Sequence, residues 1–231
     1  MTFGHSLLGL GLLSSLTQCG KKESYPTIVP IGFMLPVSIT PTNAAMHLGD
    51  TLWLKADFSD SLLDRNSGRR FRVRPQDAAF NYAMLYKRLT GIGQQPVGIA
   101  STFRLVEKVG KASINGTSTG SFQPVYDGNY YHARIGLIPT QTGVTAISML
   151  ITPTGGASAI GNAIPFITLP PDSKGQSQKA VFDESFFVIN DGKFTNFDLY
   201  SQNTRAFSLE TGTQITQIIY EKESTFTVEV K

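Results

Sequence analysis

The chain has 231 residues, of which 41% are hydrophobic and only 16% are charged. A typical globular protein has about 25% charged residues, and together with 22 Gly, 12 Pro and 15 Phe this balance favours an exported, turn-rich β-protein over a helical cytoplasmic enzyme. The net charge of +3 and the scatter of the basic residues argue against a nucleic-acid-binding protein, which usually carries more positive charge.

The first element in chain order is a short apolar segment, residues 7–16, that ends just before the single cysteine, Cys19. It is too short to span a bilayer, and polar residues follow the cysteine. With Leu16 three positions before Cys19, the segment resembles the type II signal peptide of bacterial lipoproteins. The resemblance implies that residues 1–18 are removed and that Cys19 is lipidated by acyl chains such as palmitate. The alternative is a buried free cysteine, because Cys behaves as a small hydrophobe.

This interpretation sets the domain organisation and the location. Residues 1–18 are the predicted signal peptide, residues 19–34 a Pro-containing tether to the lipid, and residues 35–231 the folded domain. The lipid anchor predicts a cell-envelope protein with the membrane as a partner. The residues after Cys19 include no immediate Asp, which in lipoproteins of the enteric type means sorting to the outer membrane.

The next segment, residues 50–58, alternates apolar and polar residues in the period of a strand. Its predicted buried face consists of Leu52, Leu54, Ala56 and Phe58. The runs at residues 48–54, 58–64 and 67–68 resemble a group of bacterial β-sandwich lipoproteins. The resemblance covers about the first third of the mature chain and implies a fold and an export route, but no activity.

Three carboxylates follow at close spacing, Asp57, Asp60 and Asp64. Oxygen ligands at such intervals could hold calcium, with a carbonyl from Asn66, although no EF-hand pattern is present. Paired carboxylates could also act as acid and base, as in glycosidases. The ordinary interpretation is that they are solvated turn residues.

Residues 69–74 alternate arginine with apolar residues. The pattern predicts a strand with Phe71 and Val73 on one face and arginines on the other. That charged face is either simply solvated or a patch for an anionic partner such as a glycan or a lipid headgroup.

Two hydroxyl groups are candidates for glycosylation. The lipoproteins that the chain resembles belong to a bacterial phylum that glycosylates hydroxyls in Asp-Ser/Thr-apolar sequences. Thr51 and Ser61 stand in such sequences, so the resemblance implies sugar at these two positions.

The remaining chain shows short strands separated by turn signals. Residues 80–86 favour a strand, with a helix over 78–89 as the alternative, and Asn115-Gly116 and Asp127-Gly128 predict hairpins. Further strands are predicted over 103–109, 130–138, 143–151, 181–189 and 226–230, a long loop over 153–171 and a short helix within 196–208. Together they predict an all-β, immunoglobulin-like antiparallel β-sandwich with one short helix near the C-terminus.

The sequence carries no recognisable catalytic motif. The mature part contains two histidines, His47 and His132, and neither stands in a nucleophile or zinc motif; no phosphate-binding glycine loop is present. We therefore expect no catalytic residue, no cofactor and no required metal, and a non-catalytic binding or structural module with a protein or glycan partner. The alternative is a carboxylate-dependent envelope hydrolase or a calcium-dependent binder at Asp57, Asp60 and Asp64.

Overall fold

The computed structural model describes residues 25–75, 80, 82–91, 97–149, 166–204 and 222–231, and these residues form mainly β-strands. The strands are β1 (Thr27–Thr40), β2 (Ala45–Met46), β3 (Leu52–Ser59), β4 (Ser61–Leu63), β5 (Arg70–Arg72), β6 (Tyr82–Arg88), β7 (Val97–Gly98), β8 (Phe103–Val109), β9 (Lys111–Ile114), β10 (Thr119–Gln123), β11 (Val125–Tyr126), β12 (Tyr130–Pro139), β13 (Gly143–Met149), β14 (Phe166–Leu169), β15 (Gln178–Ile189) and β16 (Thr225–Val230). A short helix, α1, spans Phe197–Asn203, as the sequence predicts.

The strands form two large sheets and a small hairpin. The first sheet has the order β11-β12-β3-β1-β15-β14, with β8 on the same edge of β12 as β11. The second has the order β2-β16-β13-β6-β10-β9, with β7 beside β6. The hairpin of β4 and β5 lies against β1, where Phe33 and Asp64 form a β-bridge.

Aromatic side chains fill the space between the two large sheets. Tyr82 on β6 packs against Phe58 on β3, with ring centroids 6.3 Å apart, and against Phe187 on β15 at 4.8 Å. Tyr86 on β6 meets Phe103 on β8 at 5.2 Å. Side chains from opposite sheets therefore share one core, which is the arrangement of a β-sandwich and confirms the predicted all-β class.

The sheets are mixed, whereas the sequence predicts an antiparallel sandwich with elaborations. β1 runs parallel to β15, and β2 runs parallel to β16. Hairpin signals report only pairs of strands that follow each other along the chain, and such pairs are antiparallel. The parallel pairs join distant segments, for which the sequence holds no local signal.

The predicted start of the domain at Leu35 is wrong. Residues 27–34, assigned to the tether, form the first half of β1, and Ile31 and Phe33 are fully buried. The tether was predicted because residues 23–34 contain proline and show only weak apolar patterning. In β1 the odd-numbered Ile39 directs its N–H to Asn190, just past the end of β15, whereas the even-numbered Gly32 directs its N–H to Asp64 on the other side. Even-numbered residues of β1 therefore donate away from β15. Pro30 and Pro36 are both even-numbered, and they therefore leave the pairing with β15 intact.

A second correction concerns the predicted loop over residues 153–171. Phe166–Leu169 is strand β14, which pairs with β15, whereas residues 150–165 lie outside the described part of the chain. Asp183 and Glu184 lie in the middle of β15, beside an irregularity in its register with β1. Clusters of Gly, Ala and Pro in the sequence concealed this short edge strand.

The other strand predictions agree with the structure within the described residues; residues 150 and 151 of the strand predicted over 143–151 lie outside them. The alternation in β3 buries Leu52, Leu54, Ala56 and Phe58 as predicted. Both predicted hairpins form, between β9 and β10 and between β11 and β12. Cys19 and the rest of residues 1–24 lie outside the described residues. Within the described residues, no helix has the length and apolar character needed to cross a membrane.

Candidate binding face

The outward-facing side chains of β3 and β12 form the candidate site, which we call the outer face. The two strands are antiparallel neighbours, and their register sets Trp53 opposite Gly136, Lys55 opposite Arg134 and Asp57 opposite His132. Successive residues of a strand point to opposite sides of the sheet. Because the even-numbered residues of β3 fill the core, its odd-numbered residues must project outward.

Trp53, the single tryptophan of the chain, lies against the sheet over Gly136. A Cβ atom on Gly136 would stand 3.1 Å from Cζ3 of the indole and 2.9 Å from Cγ2 of Thr51. The missing side chain therefore makes room for the ring. The guanidinium of Arg134 lies 4.9 Å from the ring centroid, within the range of a cation–π contact. Gly136 and Arg134 together hold a half-exposed indole in one position.

A chain of charged side chains extends from this pair along the outer face. Lys55 Nζ lies 2.8 Å from Oδ2 of Asp57, and Oδ1 of Asp57 lies 3.1 Å from Nδ1 of His132. On its other side, Nε2 of His132 lies 3.0 Å from Oδ2 of Asp127. Tyr130 stacks on His132 with ring centroids 6.1 Å apart and is 48% exposed. Aromatic rings and alternating charges are thus fixed side by side.

The carboxylates of this chain are held in their ionised form. The hydrogen bond from Lys55 is the main cause of the lowered pKa of Asp57, with burial opposing it and His132 adding to it. Backbone N–H groups of Asn129 and Tyr130 lower the pKa of Asp127 to about 2, with a further contribution from His132. Both nitrogens of the imidazole therefore face carboxylate oxygens, and both can donate at once only when the ring is protonated.

A cleft of about 310 Å³ adjoins the outer face between β1 and β3. These strands pair only from Ser38 to Thr40 of β1. Extending the register by two residues sets Pro36 opposite Asp57, and Pro36 has no N–H to donate toward β3. The ladder ends there, and the strands separate over a cleft lined by Pro36, Val37, Ser38, Lys55, Asp57, Asn190 and Asp191.

The far wall of the cleft is a turn in the left-handed backbone region. Asn190 and Asp191 have φ angles of 50° and 55°, which short polar side chains tolerate better than others. The Asn190 side-chain amide accepts the Ile39 N–H at 2.7 Å and donates to the Ile39 carbonyl at 3.2 Å. It takes the place of a backbone partner, because β15 ends at Ile189. This clamp fixes the turn against the end of β1.

Asp60, the second of the predicted acidic candidates, is buried in a structural cluster. Its Oδ2 accepts hydrogen bonds from Arg72 Nε and from the Tyr126 hydroxyl, both at 2.7 Å. Burial opposes ionisation, but these donors and the positive charge of Arg72 outweigh it, so the pKa of Asp60 is lowered. Asp60 therefore joins β3 to the turn before β12 and is not free to act as an acid or a ligand.

Asp64 is fully buried and organises the turn of the β4–β5 hairpin. It accepts the Gly32 N–H at 2.8 Å and the Ser67 N–H at 2.9 Å, together with the Ser67 hydroxyl. These hydrogen bonds outweigh the effect of burial and lower the pKa of Asp64. The carboxylate acts as a cap for backbone donors that would otherwise be unpaired.

The structure therefore separates the three carboxylates that the sequence groups together. Among the described residues, no group of three or more His, Cys, Asp or Glu side chains converges as a metal site. The glycosylation candidates Thr51 and Ser61 are both half-buried, and His47 is exposed. Sugar at Thr51 or Ser61 stays a prediction, because nothing in the fold tests it.

The comparisons with known proteins concern the fold. No family model matches the chain, and no curated protein matches it in sequence. Solved cohesin structures are similar to it: the type II cohesin dyad of the adaptor ScaA scaffoldin of Acetivibrio cellulolyticus, at 12% identity over 65% of this chain and 48% of that one with a TM-score of 0.24, and a type II cohesin domain from the cellulosome of the same organism, at 13% identity over 64% and 95% with a TM-score of 0.25. A non-cellulosomal cohesin of Archaeoglobus fulgidus follows at 8% identity over 74% and 98%, with a TM-score of 0.19. The chain spans about half the length of the dyad, and likeness at this level carries no inference about function.

Sequence reasoning did not single out the outer face. The alternation of residues 50–58 places Trp53 in a strand without marking it as special, and His132 stands in no nucleophile or zinc motif. The signal that could have found the face is the glycine at 136 within a long apolar strand, because an isolated glycine in a strand marks a close approach. Its partner strand is distant in sequence, so the residue that occupies the space could not be named.

Proposed function

We propose that the chain is a non-catalytic protein-binding module of the cell envelope, held on the membrane by lipid on Cys19. The observation that carries the binding role is the Trp53–Arg134 pair seated over Gly136 on the outer face. Trp, Tyr and Arg are the residue types that dominate the binding energy of protein interfaces. Tyr130 stands on the same face, so three such side chains line one surface.

The rigidity of the outer face supports this role. Association loses free energy when flexible side chains become ordered, and side chains fixed beforehand lose less. Trp53 is fixed by the sheet and by Arg134, and His132 is fixed between Asp57 and Asp127. The face is therefore arranged for binding before a partner arrives.

The contacts of the same residues argue against the hydrolase alternative. A general base needs a free lone pair within reach of the proton that it removes. Both nitrogens of His132 are directed at carboxylates, and Asp60 and Asp64 are engaged by internal donors. We therefore assign these groups to structure and recognition.

A protein partner fits the outer face better than a glycan. A sugar ring that stacks on tryptophan needs an open aromatic face, and the guanidinium of Arg134 lies over the ring of Trp53. The alternating charges of Lys55, Asp57, His132 and Asp127 suit a partner with complementary charges at fixed positions.

The test is affinity capture from native membranes with the tagged full chain, followed by a binding measurement with the captured protein. Trp53→Ala and Arg134→Ala should each weaken binding about 30-fold or more, the usual effect of truncating a central interface residue. Leu85→Ala and Lys87→Ala are matched controls, because both project from the outer side of the second sheet.

The controls should bind as the unchanged chain does. Equal binding by all four variants would exclude the outer face as the site. Binding to a purified envelope polysaccharide that Trp53→Ala abolishes would replace the protein partner with a glycan.

A further inference from the structure

Two segments contact the N-terminal end of β1: the tip of the β4–β5 hairpin and the turn before β15. We call this region the basal end, and it comprises residues 25–32 at the start of β1, 64–70 of the hairpin and 172–177 of the turn. The hairpin tip lies beside β1, because the Arg65 N–H donates to the Gly32 carbonyl at 2.9 Å. The turn before β15 reaches the first residue of the strand, where the Thr27 N–H donates to the Ser177 carbonyl at 2.9 Å. The pairing of β1 with β15 and the contacts of β1 with the hairpin thus bring three distant parts of the chain to one end of the sandwich.

The exposed charges of the basal end are positive. Its two carboxylates serve the backbone: Asp64 is buried, and Asp172 Oδ1 accepts the N–H groups of Lys174 and Gln176 at 2.9 and 2.8 Å. The exposed cations are Arg65, Arg69, Arg70 and Lys174. Arg69 lies over the ring of Phe71, and Arg70 donates to the Ser61 carbonyl, so both guanidiniums are held at the surface.

Exposed apolar side chains accompany these cations. Tyr25 is 84% exposed, Ile28 58%, Leu63 46% and Met34 44%. Leu63 is paired directly with Arg70 in the hairpin, and both are exposed. A surface that combines basic and apolar side chains is the composition with which proteins bind the interface of an anionic bilayer.

We propose that the basal end docks on anionic lipid headgroups and sets the orientation of the module on the membrane. The inference rests on the lipid anchor of the proposed function, because Tyr25 follows Cys19 by six positions, which can span at most about 20 Å. The basal end is therefore the part of the domain that the anchor keeps nearest to the bilayer. The guanidinium groups bind lipid phosphates by charge-assisted hydrogen bonds.

The same geometry explains how the outer face stays accessible. Trp53 pairs with Thr40, at the opposite end of β1 from Thr27. At about 3.3 Å per residue, this strand holds Trp53 about 40 Å from Thr27 and about 26 Å from Gly32, where the hairpin meets β1. A module standing on its basal end therefore presents Trp53 and Arg134 away from the bilayer.

The test uses the lipidated full chain reconstituted into two kinds of vesicle, phosphatidylcholine alone and phosphatidylcholine mixed with phosphatidylglycerol. Amide hydrogen exchange of residues 64–70 and 172–177 should slow by about tenfold or more on the anionic vesicles only. The double variant Arg69→Glu/Arg70→Glu should lose this protection. Lys174→Glu, in the other segment, should reduce it.

The matched control is Arg104→Glu/Lys108→Glu on β8, which makes the same change of charge at exposed positions remote from the basal end. In this variant the amides of residues 64–70 and 172–177 should still be protected from exchange on the anionic vesicles. Equal exchange on both kinds of vesicle, or loss of protection in the β8 variant to the same extent, would overturn the proposal. Urea unfolding of each variant separates a loss of docking from a loss of fold.

A second measurement separates this proposal from the lipid anchor. The Cys19→Ser full chain cannot be acylated. Its co-sedimentation with anionic vesicles should fall several-fold when Arg69→Glu/Arg70→Glu is added, and it should weaken as the salt concentration rises. The leader is common to all variants, so a difference between them reports the arginines alone. An unacylated native Cys19 would refute the anchor, whereas identical co-sedimentation of both chains would refute the docking surface.

Discussion

Gly136 and Trp53 face each other across the pair of β3 and β12, and the absence of a side chain on Gly136 lets the indole lie against the sheet. A Cβ at this position would also approach Cβ of Val106 to 3.2 Å, so the space is closed on three sides. We expect Gly136→Val to displace the indole and to lower the free energy of unfolding by about 1–3 kcal/mol, the usual effect of overpacking.

Trp53 is the only tryptophan, so its fluorescence reports the displacement directly. Emission should shift to longer wavelength in Gly136→Val as the ring becomes more exposed. Gly128→Ala is the control, because Gly128 has a φ of 113° and no neighbour near its missing Cβ. That variant should lose stability through backbone strain while Trp53 emission stays unchanged. An unshifted spectrum in Gly136→Val would show that Gly136 does not seat the ring.

Replacing Asp64 should lower the stability of the fold more than replacing Asp57. Asp64→Ala leaves the buried N–H of Gly32 and the part-buried N–H of Ser67 without their acceptor, and we expect the free energy of unfolding to fall by about 3 kcal/mol. Asp57→Ala removes a half-exposed ion pair and should change stability by less than about 1 kcal/mol. Urea unfolding of both variants checks the order, and equal losses would contradict it.

The sequence contains enough information to predict elements that follow a local rule. The strand period of residues 52–58 identified the buried face of β3, and Asn115-Gly116 and Asp127-Gly128 identified two hairpins, because a tight turn is encoded by its own residues. β1 escaped prediction because its prolines look like breaks. Whether a proline breaks the pairing of a strand depends on which neighbour its missing N–H would have faced. In β1 only the register with β15 decides that.

The outer face could not be predicted for a similar reason. Trp53 and Gly136 lie on strands far apart in the sequence, and the same holds for Asp57 and His132. The sequence also grouped Asp57, Asp60 and Asp64 by their spacing. Their surroundings differ: Asp57 projects outward, Asp60 turns in toward Arg72, and Asp64 is enclosed beside β1. Those directions depend on pairing between distant segments.

Calcium should leave the stability of the chain unchanged. Calcium takes six to eight oxygen ligands, and the oxygens of Asp60 and Asp64 already accept hydrogen bonds from Arg72, Tyr126 and backbone groups. We expect the same melting temperature with calcium, with magnesium and with a chelator. A rise with calcium alone that disappears in Asp60→Ala would contradict this expectation and would revive the calcium-dependent alternative.

The Asp127 carboxylate should make the turn before β12 sensitive to acid. Its pKa of about 2 in the folded chain lies below the ordinary value of 3.8, so folding favours the ionised form. The resulting stabilisation of the fold is complete when the pH is above the ordinary pKa, and it is lost as the pH falls from about 4 toward about 2. Carbon NMR of the Asp127 carboxyl group through this range measures the midpoint directly.

His132→Ala separates the causes of this shift. The largest contributions to the lowered pKa of Asp127 come from the N–H groups of Asn129 and Tyr130, which the variant keeps, and His132 contributes less. The midpoint should therefore rise in His132→Ala but stay below 3.8. The pKa of Asp57 should rise as well in this variant, because His132 contributes to its lowering, but it should stay below 3.8, because Lys55 is the main cause and remains in place. A midpoint at the ordinary value in His132→Ala would show that the imidazole, and not the turn, holds the charge of Asp127.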